Sequence, residues 1–308
     1  MERTNSRLTG VLTVLPTPFH HDGGLDLGSL TRLVEHSVDR GSAGVVCFGL
    51  AGENYKLSDD ERRAVLSTVI DSASGRIPVI AGTESSSFEV AVQRTAEAIG
   101  AGVAGVMVLP PSFVRPDARG IVEYYTTVAV AAAGRPVIVQ DAPAWTGVPL
   151  PLDVLVQIRD TAPNVDYVKV ENPPSAPKIR ALVAEGFSCI GGYGALHLLE
   201  DYSAGITALM PGAGHVEHYV ALWSALQCDD TEAWRLFTAM LPLLSFQMSS
   251  LEVFVAIQKE VLVRRGVLET SAVRRPGRQL DADQLTWLDR ILAWVDSAIG
   301  ETGQGHER

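Results

Sequence analysis

Lysine is scarce in this sequence: only Lys56, Lys169, Lys178 and Lys259 occur among its 25 lysine and arginine residues. The formal net charge is -11 at pH 7, and no cluster of basic residues stands out along the chain. Nucleic-acid binding requires a basic surface, so this charge pattern argues against a nucleic-acid partner. With so few lysines, the position of each one is informative.

Long apolar runs and paired cysteines are also lacking. No unbroken apolar run reaches the ~18 residues of a membrane-spanning helix, and the first ten residues, MERTNSRLTG, lack the apolar segment of a signal peptide. The cysteines Cys47, Cys189 and Cys228 lie far apart and follow no metal-ligand spacing. We therefore expect a reduced, cytoplasmic protein with no membrane partner and no metal.

A repeating pattern fills the first three quarters of the chain. Short β-branched runs occupy residues 10–19, 44–49, 78–83, 105–111, 136–143, 166–171, 187–192 and 205–212, with amphipathic segments between them. Such alternation predicts parallel βαβ units. Eight runs favour a closed (β/α)8 TIM barrel over an open doubly wound sheet. The absence of a G-x-G-x-x-G fingerprint after the first run weakens the dinucleotide-binding alternative.

The alternation stops after about residue 227. Segments 229–245, 250–265 and 282–299 carry the apolar spacing of helices. We therefore predict a barrel over residues 1–227 and a C-terminal helical region over residues 228–308.

Lys169 is the one lysine that lies within an apolar strand pattern, in the stretch DYVKVE (166–171). Because side chains alternate along a strand, Tyr167, Lys169 and Glu171 share one face. Burying an unpaired ammonium is costly, so the lysine is either paired or partly neutral. The pattern leaves two interpretations open: a structural ion pair with Glu171, or a nucleophile that forms a Schiff base.

Several stretches resemble the dihydrodipicolinate synthase/N-acetylneuraminate lyase family of class I aldolases. They are TPFHHDGGLD (17–26), GLAGENYKLSDDER (49–62), PVIAGT (78–83), LPPSF (109–113), PVIVQDAP (136–143) and YVKVE (167–171). The resemblance implies an eight-stranded barrel with C-terminal helices, and a Schiff-base lysine on strand six, which falls on Lys169. It also implies a small 2-oxo acid substrate, no metal or organic cofactor, and a homo-oligomer, either a tetramer or a dimer.

Four departures from the family pattern bear on the activity. The turn Gly49–Glu53 lacks the usual hydroxyl side chains, Gln140 replaces the proton-relaying tyrosine, and Trp145 replaces an arginine. The family's tyrosine after the Pro-Pro of strand four is also changed, to Ser112-Phe113. These changes argue against dihydrodipicolinate synthase and sialic acid lyase activity. The combination of QDAP with KxE is most similar to the 2-keto-3-deoxy-L-arabonate dehydratase branch.

The candidate site follows from these motifs. The catalytic candidates are Lys169 as the nucleophile and Glu171 and Tyr193 as proton-transfer groups. Glu171 could instead only neutralise Lys169, and Tyr193 could be a packing residue. The substrate-binding candidates are Gly49, Leu50, Ala51, Gly52, Gln140, Trp145 and Gly192.

Other motifs have plainer interpretations. Lys178 and Lys259 lie in helical patterns, from which a long side chain can bring its ammonium to water. His215 and His218 are three residues apart, but no third metal ligand is evident. The stretch SFQMSSLEVF (245–254) fits helix packing, and Asp141 fits a structural cap on the opposite strand face.

We therefore predict a Schiff-base-forming lyase that acts on a 2-oxo acid, with dehydration of a 2-keto-3-deoxy sugar acid as the leading reaction. A pyruvate-dependent class I aldolase uses the same lysine and is the alternative enzyme. A family member that binds a 2-oxo acid without turnover is the alternative from another class.

Overall fold

The computed structural model describes residues 8–300, in which eight parallel strands close into a barrel in chain order. The strands are β1 (Gly10–Val14), β2 (Gly44–Cys47), β3 (Val79–Gly82), β4 (Gly105–Val108), β5 (Val137–Asp141), β6 (Tyr167–Val170), β7 (Ser188–Gly191) and β8 (Ile206–Leu209). The predicted (β/α)8 barrel is thereby confirmed. The strands are shorter than the apolar runs. After β1, for instance, Pro16 and Pro18 have no N–H group with which to extend the ladder.

Helices cover the outside of the barrel and continue beyond it. Those that follow the strands are α1 (Leu27–Asp39), α2 (Asp59–Ala73), α3 (Phe88–Ala101), α4 (Ala118–Ala131), α5 (Pro143–Thr146), α6 (Leu152–Thr161), α7 (Ser175–Ala184), α8 (Leu198–Ala204) and α9 (Val216–Cys228). The C-terminal helices are α10 (Asp230–Gln247), α11 (Leu251–Arg264) and α12 (Ala282–Gly300). Helix α2 begins at a capping box, in which Ser58 and Glu61 each bond the other's backbone N–H.

Two apolar layers explain why the strand runs are apolar on both faces. One side chain or more from every strand fills the barrel interior, namely Leu12, Val14, Val46, Ile80, Met107, Ile138, Tyr167, Ile190 and Ala208. The alternate residues, such as Val168 and Val170, pack against the surrounding helices. Parallel strands covered by helices require this arrangement. Tyr167 and Lys169 therefore belong to the inner face of β6.

The C-terminal helices pack on the barrel in two ways. Helix α10 contacts α9 and α12, whereas α11 contacts the short turns Leu50–Gly52 and Ala213–His215 at the ends of the strands. Phe254 of α11 joins the apolar cluster of the barrel interior. The predicted boundary at residue 227 falls inside α9, and the division into two regions stays a prediction. Within residues 8–300, no helix is long and apolar enough to cross a membrane.

The expectation that Lys259 reaches water was wrong. Its side chain is 0% exposed, and its ammonium pairs with the equally buried Glu53. Lys178 keeps part of its side chain exposed but also pairs with a buried partner, Asp141. The helical pattern indicated the position of Lys259 on α11 correctly. Its ammonium also donates to Ala272 C=O at 2.8 Å, in the segment after α11, and local periodicity does not encode such a contact.

Candidate active site

Lys169 lies on the inner face of β6, between Gln140 of β5 and Ile190 of β7. It is 4% exposed, and its Nζ atom is 3.3 Å from Oε1 of Glu171. The ammonium is therefore paired, as burial requires. Because it stands near the carboxyl end of its strand, it also faces the end of the barrel where active sites occur in this architecture.

Glu171 continues the line of β6 by one residue, and three donors hold its carboxylate. Gln140 Nε2 donates to Oε2 at 2.6 Å, and the backbone N–H of Tyr193 donates to Oε1 at 3.1 Å. Lys169 is the third. A Cβ atom on Gly192 would lie 2.5 Å from Cγ of Glu171, so only glycine fits there. The predicted residues Lys169, Glu171, Gln140 and Gly192 thus meet in one place.

A cavity that is open to solvent adjoins this cluster. Its walls include the predicted residues Leu50, Ala51, Gln140, Trp145, Lys169 and Glu171. Among the described residues, the other four candidates, Gly49, Gly52, Gly192 and Tyr193, are not part of the walls. They contribute through the backbone or by close packing.

The turn after β2 shapes one side of the cavity. Leu50, Ala51 and Gly52 form a single 3₁₀ turn, in which Gly52 N–H donates to Gly49 C=O at 2.8 Å. The hydroxyl of Thr17 fixes the turn from behind by donating to Gly52 C=O at 2.6 Å. The first N–H groups of a helical turn have no acceptor within the turn. Those of Leu50 and Ala51 are therefore suited to bind an anion such as a carboxylate.

Tyr193 enters the site through its backbone. Its φ angle of 49° bends the chain so that its N–H points to Glu171. Its ring lies 5.7 Å from the ring of His197. Its phenol is not part of the cavity walls described above. This placement suits a residue that orients Glu171, and the predicted proton transfer by the phenol stays a prediction.

Side chains from the C-terminal region also line the cavity, although their sequence pattern predicted only helix packing. Met248, Leu251 and Phe254 are wall residues. Met248 and Phe254 lie against Gly194, where an added Cβ would be 2.5 Å from Met248 Sδ. The only signal in the sequence was the stretch SFQMSSLEVF itself. Nothing local in that stretch indicates that it folds back over the barrel.

Asp141 lies on the opposite face of β5, as strand alternation predicts. Its Oδ2 is 2.5 Å from Nζ of Lys178, which also donates to Leu150 C=O at 2.7 Å. Burial raises the pKa of Asp141, and the charge of Lys178 opposes that effect. This pair joins β5 to α7 behind the barrel wall, so its role is structural.

The structure supplies a third group beside His215 and His218. One ligand atom of each histidine and of Glu217 lie within 4.8 Å of one another. However, Arg265 donates to the carboxylate of Glu217, and its Nη2 lies 3.2 Å from Nδ1 of His215. A guanidinium therefore already supplies the positive charge at this cluster. We assign no metal to it.

The fold and the site define a (β/α)8 barrel with a buried lysine at the carboxyl end of its sixth strand. The chain belongs to the dihydrodipicolinate synthetase family, which matches residues 7–294. The predicted family is confirmed. Family members are lyases that act on small 2-oxo acids, so the predicted class of enzyme is supported at that level.

Three relatives illustrate the range of activities nearby. The chain is 33% identical over 304 residues to the L-2-keto-3-deoxyarabonate dehydratase of Azospirillum brasilense, covering 95% of this chain and 96% of that protein. It is 30% identical over 271 residues to a 4-hydroxy-tetrahydrodipicolinate synthase of Kineococcus radiotolerans, 86% of each chain. The dihydrodipicolinate synthase structure from Rhodopseudomonas palustris superposes with a TM-score of 0.88 at 29% identity, covering 93% and 97% of the two chains.

Proposed function

We propose that this protein is a Schiff-base lyase that dehydrates a 2-keto-3-deoxy sugar acid, with Lys169 as the nucleophile. One observation carries the proposal: Lys169, Glu171 and Gln140 form a connected buried cluster on the cavity wall. Gln140 lies on β5 directly beside Lys169. In the synthases that the sequence resembles, a tyrosine occupies this position. Similarity to a dehydratase over 95% of the chain supports the same reaction.

Binding begins with the substrate carboxylate. The N–H groups of Leu50 and Ala51 can donate hydrogen bonds to its oxygens, and the C2 carbonyl then faces Lys169. The ammonium of Lys169 first passes one proton to solvent, to which the cavity is open, and the neutral amine then adds to C2. A proton returns from solvent to the carbinolamine hydroxyl, which leaves as water and gives a protonated imine. That imine withdraws electrons from C3 and makes the C3 proton acidic. No metal or organic cofactor is required for this step.

Glu171 then moves the protons. Its carboxylate takes a proton from C3, and the C–H electrons form the C2–C3 double bond of an enamine. The lone pair of the enamine nitrogen next re-forms the C2–N double bond, the C2–C3 electrons form a double bond between C3 and C4, and the C4–O bond breaks. Glu171 returns its proton to the departing hydroxyl, which leaves as water. Hydrolysis of the imine frees Lys169 and releases the unsaturated 2-oxo acid.

Gln140 and Tyr193 support Glu171 in this scheme. Their N–H groups keep the carboxylate beside Lys169 without donating a proton to the substrate. Such fixed donors hold a catalytic group in its reactive geometry. The aldolase alternative uses the same Lys169, but there the C3–C4 bond breaks and pyruvate leaves. A homo-oligomeric, cytoplasmic enzyme is part of this proposal.

A product assay distinguishes the reactions. A panel of 2-keto-3-deoxy acids of five and six carbons is incubated with the enzyme, and water loss and pyruvate release are followed separately. The proposal requires an unsaturated 2-oxo acid or its rearranged product, without pyruvate. Pyruvate as the main product would favour the aldolase over the dehydratase. If no panel member is turned over, only the hypothesis of a protein that binds a 2-oxo acid without catalysis remains.

A further inference from the structure

Glu53 is a fully buried carboxylate that the proposed reaction does not use. Its side chain is 0% exposed, although it lies in the loop after β2 at the mouth of the barrel. It follows the Leu50–Gly52 turn directly and has a left-handed φ angle of 52°. A non-glycine residue rarely takes that conformation unless its surroundings fix it.

Three donors from three parts of the chain hold this carboxylate. Lys259 of α11 pairs with Oε1, and Lys56 lies 2.8 Å from Oε2. The backbone N–H of Arg274 also donates to Oε2, at 3.1 Å. Lys259 and Lys56 in turn each donate at 2.8 Å to carbonyl groups of the 272–274 segment. Two of the four lysines of the chain thus converge on one glutamate.

The same helix also lines the cavity. Leu251 and Phe254 of α11 are wall residues, and Lys259 lies about one further turn along that helix. The Nζ of Lys259 is 4.4 Å from the centre of the Phe19 ring, which restricts it further. The contact between Glu53 and Lys259 therefore ties the Leu50–Gly52 turn to the helix that packs against it and also lines the cavity.

The geometry points to Glu53 and Lys259 as positioning residues, which hold the Leu50–Gly52 turn in the conformation that receives the substrate carboxylate. This inference rests on the proposed function, in which that turn binds the carboxylate. Neither residue touches the reacting atoms. Their effect is therefore on the binding of the 2-oxo acid, and the rate of the chemical step depends on Lys169 and Glu171.

The pair also makes the binding sensitive to alkaline pH. Burial lowers the pKa of Lys259 to about 8, while Glu53 opposes that effect and the charges of Lys56 and Arg274 reinforce it. Above about pH 8 the neutral amine no longer pairs with the carboxylate. KM for the 2-oxo acid should then rise with pH. A variant that lacks the pair separates this effect from any other effect of pH on KM.

The test is the double variant Glu53→Gln/Lys259→Met, compared with Asp141→Asn/Lys178→Met. Both remove a buried ion pair and keep the side-chain shapes similar, which a folded protein tolerates better than the loss of one partner. We expect KM to rise about tenfold in the first variant, equivalent to one hydrogen bond to a charged group, with kcat nearly unchanged. The second variant should keep the wild-type KM. In the first variant the alkaline rise of KM should be smaller than in the wild type and in the second variant.

A folded Glu53→Gln/Lys259→Met protein with wild-type KM would overturn the inference. If that protein does not fold, two other measurements test the inference. One is the KM of Lys56→Met, which removes only one donor to Glu53, and the other is the wild-type KM between pH 7 and pH 9. If neither the variant nor the change of pH alters KM, the inference is also overturned. Failure of the proposed function is separate, because it would show as no borohydride-trapped pyruvate adduct in the wild-type protein. In that case pyruvate affinity, measured in a Lys169→Ala background with and without the double change, still tests the positioning role.

Discussion

Replacing Glu171 by glutamine separates imine formation from proton transfer. The carboxylate accepts from Gln140 Nε2 at 2.6 Å and from Tyr193 N–H at 3.1 Å. A glutamine at this position can keep the Tyr193 bond through its oxygen. If Gln140 turns its amide to offer oxygen, it can also keep the second bond through its nitrogen. We therefore expect the Glu171→Gln protein to fold, with Lys169 still able to add to a 2-oxo acid.

The expected loss is in turnover. A positioned acid–base group contributes about 10²–10⁴-fold to a reaction rate, which corresponds to about 3–5 kcal/mol of activation free energy. We expect kcat to fall within that range, while borohydride still traps the pyruvate imine at Lys169. The trapped fraction is measured by mass spectrometry of the intact protein, and kcat by product formation.

Asp141→Asn is the matched control for this experiment. It makes the same carboxylate-to-amide change on the neighbouring strand, but on the outer face, where Asp141 pairs with Lys178. Its kcat should stay near the wild-type value. A Glu171→Gln enzyme with full activity would refute the reasoning, because Glu171 would then be only the electrostatic partner of Lys169. Loss of trapping together with turnover would also refute it.

Three further predictions concern stability and the cavity. The Arg274 guanidinium lowers the pKa of Glu61 to about 2 from 4.5, so the folded chain binds this proton more weakly than the unfolded chain. The resulting stabilisation, about 1–2 kcal/mol after solvent screening, is complete above about pH 4.5 and is lost as pH falls toward 2. Between pH 5 and pH 3, the free energy of unfolding measured in urea should therefore fall more in the wild type than in Glu61→Gln. Equal decreases in the two proteins would contradict this prediction. Phe254→Ala should lower the free energy of unfolding by about 3–5 kcal/mol and enlarge the cavity for longer substrates. The ratio of kcat/KM for six-carbon acids to kcat/KM for five-carbon acids should then be higher than in the wild type. An unchanged ratio would show that Phe254 does not limit substrate length. Lys178→Met alone should destabilise the fold by about 3–5 kcal/mol, because it leaves Asp141 buried without its cation. Adding Asp141→Asn to the same chain should restore most of the lost free energy of unfolding, which urea unfolding of both variants measures.

The barrel could be predicted from the sequence because its pattern is local. Each strand run is short, apolar on both faces and followed by a helical segment, so eight repeats define the architecture without any long-range information. The face shared by Lys169 and Glu171 follows from strand alternation alone. Their contact with Gln140 required the pairing of β5 with β6, which the chain order of a parallel barrel also implies.

The residues that were missed depend on contacts between distant segments. Met248 and Phe254 reach the cavity because the C-terminal helices fold back over the barrel, and their local pattern is that of any packed helix. The burial of Lys259 has the same origin, since its partner Glu53 is 206 residues away in the chain. Periodicity reports which face of an element is apolar, but not what covers that face.

The most direct test of the account is the identity of the residue that forms the imine. The wild-type protein is incubated with pyruvate or a 2-keto-3-deoxy acid, reduced with borohydride, digested and analysed by mass spectrometry. The account predicts one adduct, on the peptide that contains Lys169, and no adduct in Lys169→Ala. An adduct on Lys56, Lys178 or Lys259, or none with any 2-oxo acid, would contradict it.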